Sequence, residues 1–307
     1  MKPFFIKHSY FKRIISHFVL AVSVSIGVAF GAHQAIADEG DSLTFAAINT
    51  EEMSIVAARW EAPLKYLGEQ MGTEINFYST TSYAAVVEAM MAGFVDFALL
   101  APKIYIIAHE QAPHLAPING IARAATEFLP EACSCYHSIL ITKKTGEFGD
   151  IDSLQDGVLA LVQPASTSGS TAPRVLFPEA IGGASFEEYF GEIFYAGAHD
   201  AAAKSVLAGK ADAAFVSDNA ISRAISKGVF DLDTFNVLWV SPEIPTLPIV
   251  VNSESLSAER VEKLQSVLFE MKDSEEGRAM LESLNAVALL PLTDATFDPL
   301  RKVLENK

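Results

Sequence analysis

Apolar positions along the chain switch between short continuous runs and runs with helical spacing. Residues 43–48 form a short apolar run with β character. Over 53–71, Ile55, Ala58, Leu64, Leu67 and Met71 recur near helical spacing, and Gly72 is a stop signal. Residues 74–78 predict a strand, and 82–91 a helix capped by Thr81 or Ser82 and stopped by Gly93. Residues 95–100 predict a buried strand. This β-α-β-α-β order implies a mostly parallel sheet covered by helices. The pattern then starts again, with strands over 136–142, 158–162, 193–195, 211–216 and 235–240. Helices are predicted from about residue 171 and over 200–207, where Gly209 ends the second. A last helical segment covers 257–285, where Val261, Leu264, Leu268 and Met271 form a stripe suited to core packing. Two α/β units thus stand in series, with no low-complexity tract and no repeat of roughly 20–50 residues.

The N-terminus reads as a secretory signal peptide. Lys2, Lys7, Lys12 and Arg13 precede an almost wholly apolar run over 14–30. Ala35-Ile36-Ala37 then supplies a small-residue cleavage pattern before Asp38 and Glu39, so cleavage is expected after Ala37, in a periplasmic protein. The apolar run is at the short limit for crossing a bilayer, and no later stretch is long and apolar enough to span one. No stable membrane insertion is expected after cleavage, and no cysteine lies near the site to carry a lipid.

Removing 1–37 leaves 18 basic residues against all 38 acidic ones, a net charge of −20. Such a chain is a poor partner for nucleic acid or anionic lipid. Residues 38–307 suffice for one large domain or two lobes.

Cys133, Cys135 and His137 form a C-x-C-x-H pattern that a strand would set on one face. It falls short of the four ligands of a complete zinc site, and no metal is expected. A C-x-C disulfide lies near the upper limit of bridging distance on a strand, which leaves the state of the two thiols open.

Two turns are rich in hydroxyls. Residues 163–174 read QPASTSGSTAPR and residues 78–83 read YSTTSY. Each follows a strand and opens a helix. Free N–H groups and the positive dipole end make such a junction a potential anion site, and rotating hydroxyls add donors. Either turn alone reads as ordinary capping. Both, at the carboxyl ends of strands in successive units, point to one ligand held between them. Neutral donors of this kind act at contact and need no counter-charge, which reconciles anion binding with an acidic chain. No G-x-S-x-G elbow and no H-E-x-x-H spacing occurs, so no enzyme activity is expected.

PASTSG, SYAAVVEAMMAGFVDFALLAP at 82–102, Tyr136-His137-Ser138, AGAHDAAAKSVLAGKADAAFVSD at 196–218 and SPEIPTLPIVV at 241–251 resemble, in order, the motifs of the phosphate/phosphonate/phosphite-type substrate-binding proteins of ABC transporters. The resemblance implies a two-lobe periplasmic-binding-protein fold of type II. Each lobe would be a mixed, mainly parallel sheet flanked by helices, with the ligand cleft between lobes. One lobe would comprise 42–135 plus 246–307 and the other 136–245, hinged near 136–142 and 243–250.

It also implies the site. Ser166, Thr167 and Ser168 would hold the oxyanion, with Tyr83 and Tyr136 beside it and Thr81 and Ser82 in the second turn. Asp218 would face the ligand, and His199 and Asp200 would lie near the cleft. Asp200 is equally placed to cap its own helix. Asp218 would accept a P–OH proton, which sulfate lacks, or pair with a ligand ammonium. The implied protein is a monomer without cofactor that captures a small phosphorus oxyanion and delivers it to a permease. Binding of a sulfonate or other small organic anion, or docking on a membrane kinase as a sensor, are the alternatives. Ser170, Thr81-Ser82, Glu243, Thr246-Leu247 and the two cysteines depart from the family pattern.

Overall fold

The computed structural model describes residues 42–80, 82–128 and 131–305. The signal peptide and its cleavage point lie outside the described residues, as does Thr81.

In chain order, β1 (Leu43–Ala47) is followed by α1 (Met53–Met71), β2 (Ile75–Tyr78), α2 (Tyr83–Met91) and β3 (Phe97–Leu99). Gly72, at φ 74°, ends α1 in the left-handed conformation open to glycine, and the Ser82 hydroxyl caps α2 by accepting from Ala85 N. Next come α3 (Pro102–Gln111), β4 (Leu115–Ala122), β5 (Cys135–Tyr136), β6 (Ser138–Lys143) and β7 (Val158–Leu161). A π-helical turn, Thr167–Thr171, leads into α4 (Ala172–Leu176), then α5 (Phe186–Tyr189), β8 (Glu192–Tyr195), α6 (His199–Leu207) and β9 (Ala213–Ser217). The chain continues through α7 (Asp218–Ser226), β10 (Phe235–Val240), β11 (Ile244–Pro245), β12 (Pro248–Asn252), α8 (Ala258–Glu270), α9 (Glu275–Ser283), β13 (Ala288–Pro291) and α10 (Asp298–Glu305).

The strands form two main sheets, in the order β13-β4-β12-β3-β1-β2 and β10-β6-β9-β7-β8. This is the two-lobe α/β architecture, with one sheet to each lobe. The sheets are more mixed than the strand–helix alternation predicts. β1 runs parallel to β2 and β3, and β7 to β8 and β9, but β4, β6, β10, β12 and β13 make only antiparallel pairings. The two crossing segments pair with each other, as β5 and β11, with Ile244 opposite Tyr136. The predicted strand over 136–142 is therefore interrupted at His137.

Apolar burial follows the sheets. One core cluster gathers Phe45, Trp60, Phe97, Tyr105, Ile249 and Phe297 around the first. The second sheet separates a cluster with Ile139, Ala214 and Val216 from one with Leu140, Phe177 and Phe215. β4 carries Pro117 and Gly120, and its register against β12 shifts where Ile249 faces Asn119 and Val250 faces Pro117. A β-carbon on Gly120 would fall 2.5 Å from Thr246 Cγ2, so glycine lets the β11–β12 corner close onto the sheet. Cys133 and Cys135 form a disulfide. Among the described residues no group of His, Cys, Asp and Glu could hold a metal ion.

Candidate anion-binding site

The hydroxyl cluster folds as the sequence suggests, into a cap. Ser166 Oγ accepts from Gly169 N at 3.1 Å, and Ser166 O accepts from Thr171 N at 3.0 Å. Gly169 has a packing reason: a β-carbon there would lie 2.3 Å from Val162 Cγ2. The close approach is to the strand beneath it. Ser138 Oγ donates to Ser168 O at 2.6 Å, tying the turn to β6. Ser166, Thr167 and Ser168 are all buried.

These three residues line a cavity of about 30 Å³ together with Tyr83, Tyr136, His199, Ser217, Asn219, Arg123 and Arg223. One water needs roughly 10–15 Å³ by the same measure, so the space suits a small ionic head group. Its walls come from both halves of the fold. Gln163 Nε2 donates to Asn49 Oδ1 at 3.0 Å, and Gln163 Oε1 accepts from Tyr83 N at 3.3 Å. His199 N donates to Thr50 O at 3.1 Å, and Lys103 N to Thr167 Oγ1 at 3.0 Å. Bonds of this kind close the two strand-end rims onto one another.

The electrostatics are cationic. Arg123 is 3% exposed, and its Nε and Nη1 have no hydrogen-bond partner among the described residues. Burial, with Arg223 nearby, lowers its pKa to about 10, which leaves it charged at neutral pH. Arg223 Nε donates to Glu51 Oε1 at 3.0 Å, and Arg59 holds the other oxygen of that carboxylate. The Tyr83 hydroxyl is buried and lacks a well-formed hydrogen bond, although the Ser166 hydroxyl lies close enough to oppose the rise that burial gives its pKa. Burial also raises Tyr136, opposed by hydrogen bonding with Thr167 and Ser168. His199 Nδ1 accepts from Ser217 N at 3.0 Å, which leaves its proton on Nε2. Burial and Arg223 lower its pKa to about 3, so the ring is neutral. A buried guanidinium with free N–H groups, hydroxyls, phenols and a neutral imidazole together make an anion receptor.

The model of the periplasmic substrate-binding protein of phosphonate ABC transporters matches residues 45–297. The chain belongs to this phosphonate-binding family. Its relatives include the phosphate-import protein PhnD of Mycolicibacterium smegmatis, 27% identical over 86% of this chain and 85% of that protein. A binding-protein component of an ABC phosphonate transporter from Pseudomonas aeruginosa superposes with a TM-score of 0.76 at 22% identity, over 86% of this chain and 85% of that one. PhnD1 from Prochlorococcus marinus in complex with methylphosphonate gives 0.73 at 17% identity, over 87% and 99%.

The cavity of this phosphonate-family member gathers Ser166, Thr167, Ser168, Tyr83, Tyr136 and His199. Three other residues singled out by the sequence stand back from it. Ser82 is occupied as the α2 cap. Asp200 lies in the first turn of α6 and pairs with Lys204 at 2.7 Å, while the N-cap is Ala198, so it neither faces the cavity nor caps the helix. Asp218 does not line the cavity: its Oδ1 accepts from Asn219 N at 2.6 Å. Burial raises its pKa, with Arg123 among the opposing influences.

The expectation of an uncharged receptor is corrected by Arg123 and Arg223. Both were missed, along with Asn219 and Ser217. A lone arginine inside the apolar stretch Ile121-Ala122-Arg123-Ala124-Ala125 was the available signal, because a charge among buried neighbours needs a reason.

Proposed function

We propose that this protein captures a small phosphorus oxyanion, a phosphonate or phosphate, in the Arg123 cavity and delivers it as a periplasmic monomer to an ABC permease. The observation that carries this reading is the Arg123 guanidinium, buried with two unpartnered nitrogens beside Ser166, Thr167 and Ser168. A charge so placed is costly without an anion against it. Ser166–Ser168, Tyr83 and Tyr136 donate to the oxygens, and His199 adds its Nε2 proton. Asp218 acts one step away, through Arg123. The lobes are 42–135 plus 246–307 and 136–245, and they open about the paired β5 and β11 crossings to admit and release the ligand. Membership of the phosphonate-binding family supports a periplasmic location, and the small-residue pattern ending at Ala37 supports export with cleavage there.

Thermal unfolding of the mature protein with methylphosphonate, phosphate, phosphite and sulfate tests this. A phosphorus ligand at 100 times its dissociation constant should stabilise by about 2.7 kcal/mol. Stabilisation by sulfate alone, or by none of the four, overturns the reading.

A further inference from the structure

The anion cavity has a neighbour. A second cavity, of about 40 Å³, shares Arg123 and Arg223 with the first and adds Arg59, with Trp60, Leu99, Ile121 and Leu284 as apolar walls. Its uncharged polar lining is only Thr50 and Asn219. Of these two cavities, only the first is lined by the hydroxyl-rich turn that suits a tetrahedral head group, through Ser166, Thr167 and Ser168.

Three guanidiniums therefore border the second compartment. Arg59 has a side chain 8% exposed; its Nη2 is held by Glu51, but its Nε has no partner. Arg123 contributes two further unpartnered nitrogens. The carboxylates acting on these three are Glu51, shared by Arg59 and Arg223, and Asp218, which burial pushes toward its protonated form. Burial and the neighbouring Arg223 lower the Arg59 pKa to about 9, as expected for cations crowded together. Positive charge remains in excess after the internal pairings are made.

That arrangement selects among phosphonate substituents. An aminoalkyl tail would bring an ammonium among three guanidiniums. A bare alkyl tail would leave their N–H groups unpartnered. A planar carboxylate fits the guanidinium fork, and the apolar walls accept a methylene linker. We propose that the second compartment receives a carboxylate joined to the phosphorus head by a short linker, so that carboxylated phosphonates are preferred over alkyl- and aminoalkylphosphonates. This rests on the phosphonate reading of the first cavity and adds the substituent.

Calorimetric titration of the ligand-free mature protein with methylphosphonate, phosphonoacetate, 3-phosphonopropionate and 2-aminoethylphosphonate tests it. At least one carboxylated probe should bind ten times or more tighter than methylphosphonate, with 2-aminoethylphosphonate weakest. Arg59→Gln should weaken that carboxylated probe at least tenfold more than it weakens methylphosphonate. Equal or tighter binding of methylphosphonate or 2-aminoethylphosphonate overturns the proposal while leaving the phosphonate reading intact. A wild-type preference that Arg59→Gln leaves unchanged also overturns it. Binding of none of the four sinks both. The wild-type ranking decides the matter even if the variant does not fold.

Discussion

Arg223 on α7 and Glu51 after β1, 172 positions apart, are joined by a buried hydrogen-bonded ion pair at 3.0 Å. Each comes from a segment leading out of a different sheet, so the bond ties the two segments together. Burial raises the Glu51 pKa, but Arg223 and Arg59 outweigh it and hold the carboxyl below its ordinary value. Glu51→Gln leaves two guanidiniums without their counter-charge. Breaking one side of a buried pair costs about 3–5 kcal/mol. Urea denaturation of the unliganded variant should show a loss of that order, partly restored by phosphate or methylphosphonate. A loss under about 1 kcal/mol would mean that the pair is well solvated.

Arg123 predicts a trade between binding and stability. Its Nε and Nη1 are charged donors with no hydrogen-bonded acceptor among the described residues. A hydrogen bond to a charged partner contributes about 1.5–3 kcal/mol, so Arg123→Met should weaken anion affinity by roughly 10- to 150-fold. The same change removes a buried charge, and the unliganded variant should unfold at the same or higher urea concentration. Affinity within twofold of wild type, measured by calorimetry, would remove Arg123 from the site.

The backbone plan was legible where period and punctuation agree. α1 begins and ends where periodicity and Gly72 put it, and the Ser166–Thr171 turn sits between a strand and a helix as its composition suggests. Legibility failed where tertiary pairing overrode local signals. β4 holds Pro117 and Gly120, both strand-breaking on their own, yet it is paired on both sides, between β13 and β12, and delivers Arg123 at its end. Arg123 N then donates to Cys133 O at 2.8 Å, so the disulfide loop helps to fix the arginine, a pairing that spacing alone did not reveal. α7 went unread because Asp218-Asn219-Ala220-Ile221-Ser222 offers few large apolar residues, and Arg223 went with it. The segment over 257–285 is two helices, since Ser274 caps a fresh start at α9. The hydroxyl half of the site could be found from local chemistry. The arginine half depended on folding.

Tyr83→Phe should separate the two states of the cavity. The phenol oxygen is buried with no well-formed bond among the described residues, and an unsatisfied buried hydroxyl costs about 1–3 kcal/mol. Deleting it should stabilise the unliganded protein by about 1 kcal/mol and weaken methylphosphonate by about fivefold. Calorimetry and urea denaturation read the two effects. Weaker binding with lower unliganded stability would instead indicate a packing role.

His199 makes the protein acid-sensitive in a defined window. Its Nδ1 is committed to Ser217 N, and burial with Arg223 lowers its pKa from 6.5 to about 3. Between these values the unfolded chain binds the proton and the folded one does not. Stability is therefore fully present above pH 6.5 and declines as pH falls toward 3. The slope from this one group approaches about 1.4 kcal/mol per pH unit. Asp218, raised by burial, titrates with the opposite sign and softens the total. Comparing wild type with His199→Gln isolates the histidine. The variant's stability should change less from pH 7 to pH 4.5, with the gap between the two narrowing as pH falls. Parallel curves would show that the ring gains a proton in the folded state.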